Sequence, residues 1–562
     1  MEHLCSVARP FLNYINLSAI ITATAQLWTT AQAKSSLQPS ANMAGFDLKQ
    51  FYSKVLLQLE PMLPDVGARA VSNILWSSAK LGLNPDTFVP GMTNALAAKM
   101  LQLTKDKAGR QPNARDCANF LWALASLGHQ PADKGLVDAV SECCVRLIKH
   151  HDVSKRPNAQ EAANLIWALA SLGHQRADKG LIDAVCEHFV RLVKHHDISK
   201  RPNAQGAANL LWALASLGHQ REDKGLIDAV CNHFVRLIKH HDVSKRPNAQ
   251  GAANVIWALG ELNHEPPDGA ASAILERLSV LCGLPRQAPN AQELSNTLLA
   301  CAVLRLKVKD HVSLALVDGL LRLDRAHCSD QTYCNAAWSL AVLDKLCVDL
   351  FSLILGRLRP LSTEPAHNAL PAHDALPRQE LFQLYQALDF LQPLPTAAAQ
   401  QLQEMVTRLG PRPLPDKRSA GDLLTSKHLC VALEQLGLAF TANVPLSGYW
   451  ADAVLRPQDG SAVPVVLVPE YFCGRFSNQE KRLTGRAVFR RTLLAKQRKL
   501  VLIPEQKLSC SVVDLADYIQ QQVEDVTGDS LKHYIMLQIL KEVMDAASAM
   551  PSSVTARLMS TV

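Results

Sequence analysis

The segment RPNAQEAANLIWALASLGHQ, Arg156 to Gln175, returns as RPNAQGAANLLWALASLGHQ from Arg201. Its core, N-x-x-W-A-L, sets Trp122, Trp167, Trp212 and Trp257 at a constant interval of 45 residues. Repetition at such a period constrains the fold more than composition does, because each copy must be one supersecondary unit that hides its apolar faces against the next. Weaker copies stand at Trp76 (SNILWSSAKLG), Leu299 (SNTLLACAVL) and Trp338 (CNAAWSLAVL), with a further one around Leu384 to Leu391, which extends the array to eight or nine units.

One unit, Pro157 to Arg201, reads as two helices. Asn158 is placed to cap the first, Glu161 completes a capping-box pattern, and Gly173 ends the helix with a left-handed residue. At 100° per residue, Ala162, Leu165, Leu169 and Leu172 share one face and must be buried, while Gln160, Asn164, Trp167 and Ser171 fall on the opposite arc. The second helix, about Asp178 to His196, gathers Leu181, Ile182, Val185, Phe189, Leu192 and Val193 on a broad apolar side. A pair this short cannot cover both apolar faces, so the spacing predicts a mainly α chain with an α-solenoid of helical-hairpin repeats.

The polar arc is the candidate functional surface. Amides repeated beside an aromatic ring suit unstacked bases, since Asn and Gln offer a donor and an acceptor to a base edge. The candidate readers are Gln160, Asn164, Gln205, Asn209, Gln250 and Asn254, with Arg115 and Asn119 in the preceding unit. Lys155 with Arg156, Lys200 with Arg201 and Lys245 with Arg246 precede the first helices, where they can meet phosphates. Each of these residues also has a purely structural role open to it: Asn164 bonding between units, Trp167 packing between units, the Lys-Arg pairs solvated in loops. The recurring KHHD (Lys149 to Asp152, Lys194 to Asp197, Lys239 to Asp242) contains metal-ligand types, but its place at the end of the second helix favours cations facing the helix dipole. No metal and no cofactor is expected.

Lys and Arg total 58 against 51 Asp and Glu, an excess that permits a polyanionic partner without requiring one. The 14 cysteines include no C-x-x-C, as expected for reduced thiols. No apolar run is long enough to predict a membrane span. Residues 1–46 contain one acid, Glu2, and nine Ser or Thr, which fits either an organellar transit segment or, through ATAQLW ending at Trp28, a degenerate first repeat. No phosphate loop, G-x-S-x-G elbow, H-E-x-x-H or kinase H-R-D motif is present.

The signature A-N-x-x-W-A-L-A-x-L-G, spread over Val71 to Leu343, resembles the octotricopeptide repeats of organellar RNA-binding proteins and is similar to the repeats of the FAST kinase-like group. Near the C terminus, GYWADAVL (Gly448 to Leu455), VPVVLVPEYF (Val463 to Phe472) and LTGRAVFRRTLLAKQRKLVLIP (Leu483 to Pro504) resemble a RAP domain. Read directly, those runs give a small strand-helix-strand module. The RAP resemblance implies a restriction-endonuclease-like fold whose carboxylates hold a metal. Asp452 matches the first acidic position, but Val465 and Leu467 stand where the family's E-V-D-G-P motif has its two acids, and Glu470 is out of step. One remaining acid argues against catalysis, and the basic residues Arg486, Arg490, Arg491, Lys496, Arg498 and Lys499 suggest RNA contact instead.

The expected layout is a transit segment or degenerate repeat over 1–46, the repeat array over 47–358, and linkers with further helices over 359–440. A RAP-like α/β domain follows over 441–508 and a helical tail over 509–562. Together the resemblances imply an organellar protein, chloroplast or alternatively mitochondrial, that binds single-stranded RNA through its repeats and acts on processing, stability or translation of a transcript alongside other RNA-processing proteins. The competing readings are a protein-protein interaction scaffold and an RNA endonuclease acting through Asp452.

Overall fold

The computed structural model describes residues 12–35, 47–358 apart from 107–109, 134, 174–178 and 219–224, and 376–527 apart from 411, 413, 415–419, 448, 456–463, 470–482, 497 and 509. Those residues form a mainly helical chain with one small four-stranded sheet near the C terminus. They fall into two compact units, one of Met1–Leu262 with Pro266–Leu281, the other of Asn263–Glu265 with Cys282–Val562. No helix among the described residues is long and apolar enough to cross a membrane.

The N-terminal unit is a run of hairpins. Their first helices are α1 (Tyr14–Ser35), α3 (Ala68–Leu81), α5 (Ala114–Ser126), α7 (Ala159–Ser171), α9 (Ala204–Ser216) and α11 (Ala249–Glu261). The second helices are α2 (Leu48–Leu59), α4 (Met92–Thr104), α6 (Gly135–Ile148), α8 (Lys179–Val193), α10 (Gly225–Ile238) and α12 (Ala270–Cys282). Each first helix packs on the next from α1 to α11, and the second helices do the same from α4 to α10. Small residues allow the close approach: Ala162, Ala163 and Ala168 of α7 are buried, beside the larger Leu165, Ile166 and Leu169. The second helix is shorter than Asp178 to His196, but Leu181, Ile182, Val185, Phe189 and Val193 are buried as its pattern requires. Of the two readings of 1–46, the repeat describes Tyr14–Ser35: this helix buries Leu17, Ile21 and Ala25 and packs on α3, while 1–11 and 36–46 lie outside the described residues.

Local chemistry fixes the hairpin ends. Asn113, Asn158 and Asn290 cap their helices through capping boxes closed by Asp116, Glu161 and Glu293. Asn203 and Asn248 cap theirs onto Gly206 and Gly251. Gly173 follows α7 at φ +66°, in the left-handed region that glycine enters without a Cβ clash.

The KHHD segment follows the end of α6 as a closed turn. His150 Nδ1 accepts the Asp152 amide at 3.0 Å. Asp152 in turn caps a 3-10 turn, Val153–Lys155, through the Ser154 amide and hydroxyl, and the Ser154 bonds hold its carboxyl below the usual range. Arg156 Nε then donates to the His150 carbonyl at 2.8 Å, satisfying an open acceptor at the end of α6. The same set recurs with His195, Asp197, Ser199 and Arg201 and with His240, Asp242, Ser244 and Arg246.

In the C-terminal unit three more hairpins are α13 (Ala291–Val303) with α14 (Asp310–Arg322), α15 (Asp330–Val342) with α16 (Val348–Leu355), and α17 (Arg378–Leu391) with α18 (Thr396–Arg408). Their first helices again pack in succession. Then come α19 (Ala420–Gln435), β1 (Phe440–Leu446), β2 (Tyr449–Leu455), β3 (Val465–Pro469), α20 (Gly485–Ala495), β4 (Lys499–Ile503), α21 (Glu505–Leu508) and α22 (Val512–Thr527). The sheet order is β1-β2-β3-β4, antiparallel except for the parallel β3–β4 pair, which α20 connects. One face carries a core of Leu429, Leu433, Leu455, Val465, Leu467, Leu515 and Ile519 under α19 and α22. The other carries Val454, Val466 and Val468 against Leu494 of α20. The α/β module therefore reaches beyond the expected 441–508 at both ends, because the sheet must bury both faces. Of the tail, 528–562 lies outside the described residues.

Candidate nucleic-acid interface

The repeat brings the predicted readers into rows along the first helices of the N-terminal unit. Gln160, Gln205 and Gln250 are exposed, and Asn119, Asn164, Asn209 and Asn254 are half-buried beside them. None of these seven side-chain amides has a hydrogen-bond partner among the described residues, so their donors and acceptors are turned to a ligand or to water. Arg115 occupies the row above Gln160 but is already paired: its Nε lies 3.2 Å from Oε1 of Glu161 in the next unit, which makes it an inter-repeat tie.

Beside the amides runs a ladder of half-buried indoles. The ring centroids of Trp122, Trp167, Trp212 and Trp257 are separated by 6.4, 6.2 and 6.2 Å with interplanar angles of 31–34°. Lys80 extends it, its Nζ lying 4.8 Å from the Trp122 ring centroid and 5.8 Å from that of Trp76. Each inner ring has a neighbour on both sides, so a base cannot stack on it without separating the ladder. The indoles are packing residues that offer a ligand their rims, and the amides carry the polar chemistry.

The basic pairs divide in two. Lys155, Lys200 and Lys245 are exposed, whereas Arg156, Arg201 and Arg246 are half-buried with Nε committed to the preceding turn. The lysines are the available cations of each pair.

A second periodic feature was not legible in the sequence. His188 and His233 are buried, and each Nε2 donates to the carbonyl of Pro157 or Pro202 at 2.7 Å. Their Nδ1 atoms are buried without a partner. Burial pushes both histidines below their ordinary value of 6.5. Above that value both states are neutral and no penalty exists; as pH falls through 6.5 the unfolded chain takes up protons first, and stability drops until the lower folded value is passed. The urea midpoint of the N-terminal unit should therefore fall between pH 7.5 and 5.5. In His188→Gln with His233→Gln, which keeps a donor for the proline carbonyl, that pH dependence should flatten; an equal acid loss in the double variant would refute the assignment.

In the C-terminal unit the row that matches Asn164 and Trp167 is closed between α15 and α17, while Gln292 and Asn296 of α13 and Gln331 and Gln379 keep the exposure of their N-terminal counterparts. Asn335 of α15 receives a bond from Gln383 of α17 at 2.7 Å, and Trp338 Nε1 donates to Gln386 Oε1 at 2.9 Å. Helix α20 lies over them, packed on α13, α15 and α17. Phe489 meets Trp338 edge-on at 5.7 Å and Phe390 at 5.9 Å. This overturns the picture of α20 as an open basic helix. Arg490 is 9 % exposed, with one guanidinium nitrogen 3.1 Å from the Trp450 carbonyl and its carbon over Tyr449. Lys496 donates to the Asp389 and Phe390 carbonyls at the end of α17, where burial lowers its pKa despite Asp389. Arg491 is half-buried, and Arg486 is exposed.

Asp452 is fully buried in β2. Val465 and Leu467, the positions expected to be acidic, belong to the core under α19 and α22, and Glu470 lies outside the described residues. Among the described residues no group of three His, Cys, Asp or Glu side chains could hold a metal ion. Compared with known proteins, the chain matches no protein-family model and no curated sequence.

Proposed function

We propose that the N-terminal unit is a single-stranded RNA-binding surface of an organellar protein, which protects or presents a transcript rather than cutting it. One observation carries this reading: the amide rows of α5 to α11 are open and recur with the repeat, while the positions of Asn164 and Trp167 bond to one another between α15 and α17. An unpartnered amide facing water can exchange that water for a base edge. The resemblance to octotricopeptide repeats followed by a RAP-like domain supports the same assignment, and one unit per base is the stoichiometry of helical-repeat readers.

The protein-scaffold reading has one point in its favour, since α20 shows that such a face can take a helix. One difference favours RNA for the N-terminal unit. The last face position of each first helix in the C-terminal unit is Val303, Val342 or Phe390; in the N-terminal unit the same position is Ser126, Ser171, Ser216 or Glu261, all exposed. Beside the Trp row, an apolar helix would meet polar side chains there.

The test is binding of the full chain to labelled single-stranded RNA across a salt series. Affinity should fall steeply with salt, and Lys155→Ala with Lys200→Ala and Lys245→Ala should weaken all RNAs alike and reduce the log-log salt slope by about 2, the value for three lost phosphate contacts on a single strand. Absence of binding at low salt would leave the scaffold reading standing.

A further inference from the structure

We infer that the α/β module is the resident occupant of the repeat face in the C-terminal unit, and that it thereby bars RNA from that face. This rests on the RNA reading and adds a boundary to it.

Four contacts show that α20 is seated on that face rather than resting near it. At its N-terminal end, Gly485 lies so close to the Ala302 carbonyl at the end of α13 that there is no room for a Cβ. Nearby, Arg305 donates to the Leu483 carbonyl at 3.4 Å. At mid-helix, Phe489 fills the space between Trp338 and Phe390. After its last turn, Lys496 closes the carbonyl end of α17. The helix thus touches all three first helices of the unit, on Ala302 and Asp389, which correspond to Ala170, on Trp338, which corresponds to Trp167, and on Phe390, which corresponds to Ser171.

Beneath α20 the repeat helices close their own polar row. Asn335 and Trp338, the counterparts of Asn164 and Trp167, are satisfied by Gln383 and Gln386, so RNA would have to break those bonds and displace a helix to reach them. The N-terminal unit makes no such internal pairing along α7, α9 and α11. Bound RNA is therefore kept off the face that α20 covers.

The experiment is ultraviolet crosslinking of the full chain to uniform oligonucleotides, U20 and A20, with the crosslinked peptides mapped. Crosslinks should fall in α5, α7, α9 and α11 and be absent from α13, α15 and α17. Gly485→Arg should undock α20, seen as faster amide exchange there, and add crosslinks in α15 and α17. Phe489→Ala is the milder variant should Gly485→Arg fail to fold; it should give the same new crosslinks at lower yield. Wild-type crosslinks in α13, α15 or α17 would overturn the boundary while leaving RNA binding intact, as would an unchanged footprint after α20 has been shown to undock. No RNA binding in either unit would overturn both readings.

Discussion

Trp338→Ala should lower the unfolding free energy of the C-terminal unit by about 3–5 kcal/mol, the range for removing a large aromatic from a packed interior. Trp338 is 5 % exposed, packs edge-on against Phe489 and bonds Gln386 through Nε1. Truncation opens a cavity beneath α20 and leaves the Gln386 amide buried without its donor, so two penalties add. The residue at the same helix position in the N-terminal unit should behave differently. Trp167 is half-buried, and Trp167→Ala should cost about 0.8–1.5 kcal/mol, half the transfer energy of a large apolar side chain. Urea denaturation of the full chain, followed by amide exchange in each unit, reads both effects. Equal losses at the two sites would mean that α20 contributes nothing to the burial of Trp338.

The second large effect concerns recognition. Gln160→Ala, Gln205→Ala and Gln250→Ala together should weaken the preferred RNA about 100-fold, three hydrogen bonds at about 1 kcal/mol each. The three units present the same Gln, Asn and Trp with nearly the same ring spacing, so identical readers should favour a run of one base. Anisotropy titrations with homopolymeric 15-mers should show one preferred base in the parent chain and a loss of that preference in the triple variant. Unchanged affinity and preference would remove the amides from the interface. The contrast with the lysine variants is diagnostic, since phosphate contacts position a strand and base contacts select it.

Much of the N-terminal unit could be read directly from its letters. Asn158, Glu161 and Gly173 act at short range through hydrogen bonds and backbone torsions, and the 3.6-residue period names the buried face, so cap, helix and stacking follow without distant information. The burial of Arg156 was hidden because its partner is a backbone carbonyl six residues earlier, which no residue type encodes. Arg115 and Glu161 are 46 positions apart and meet only after the units stack. The largest miss, α20, has the same cause: its basic residues suggest an open face, but Gly485, Phe489 and Lys496 find their partners in α13, α15 and α17, more than 90 residues away. Side-chain charge reports what a helix could bind, whereas apolar contacts across the chain decide whether that face is available.

The self-contained turn between units has a consequence for how such a chain can change length. Because the side-chain bonds of His150, Asp152, Ser154 and Arg156 close within the turn, and the next two turns repeat the set, a cut at one turn and a join at the next leaves the same bonds to be made. The stretch from Arg156 to Lys200 is in effect a replaceable cassette: losing or doubling it subtracts or adds one rung without disturbing the ends that are joined.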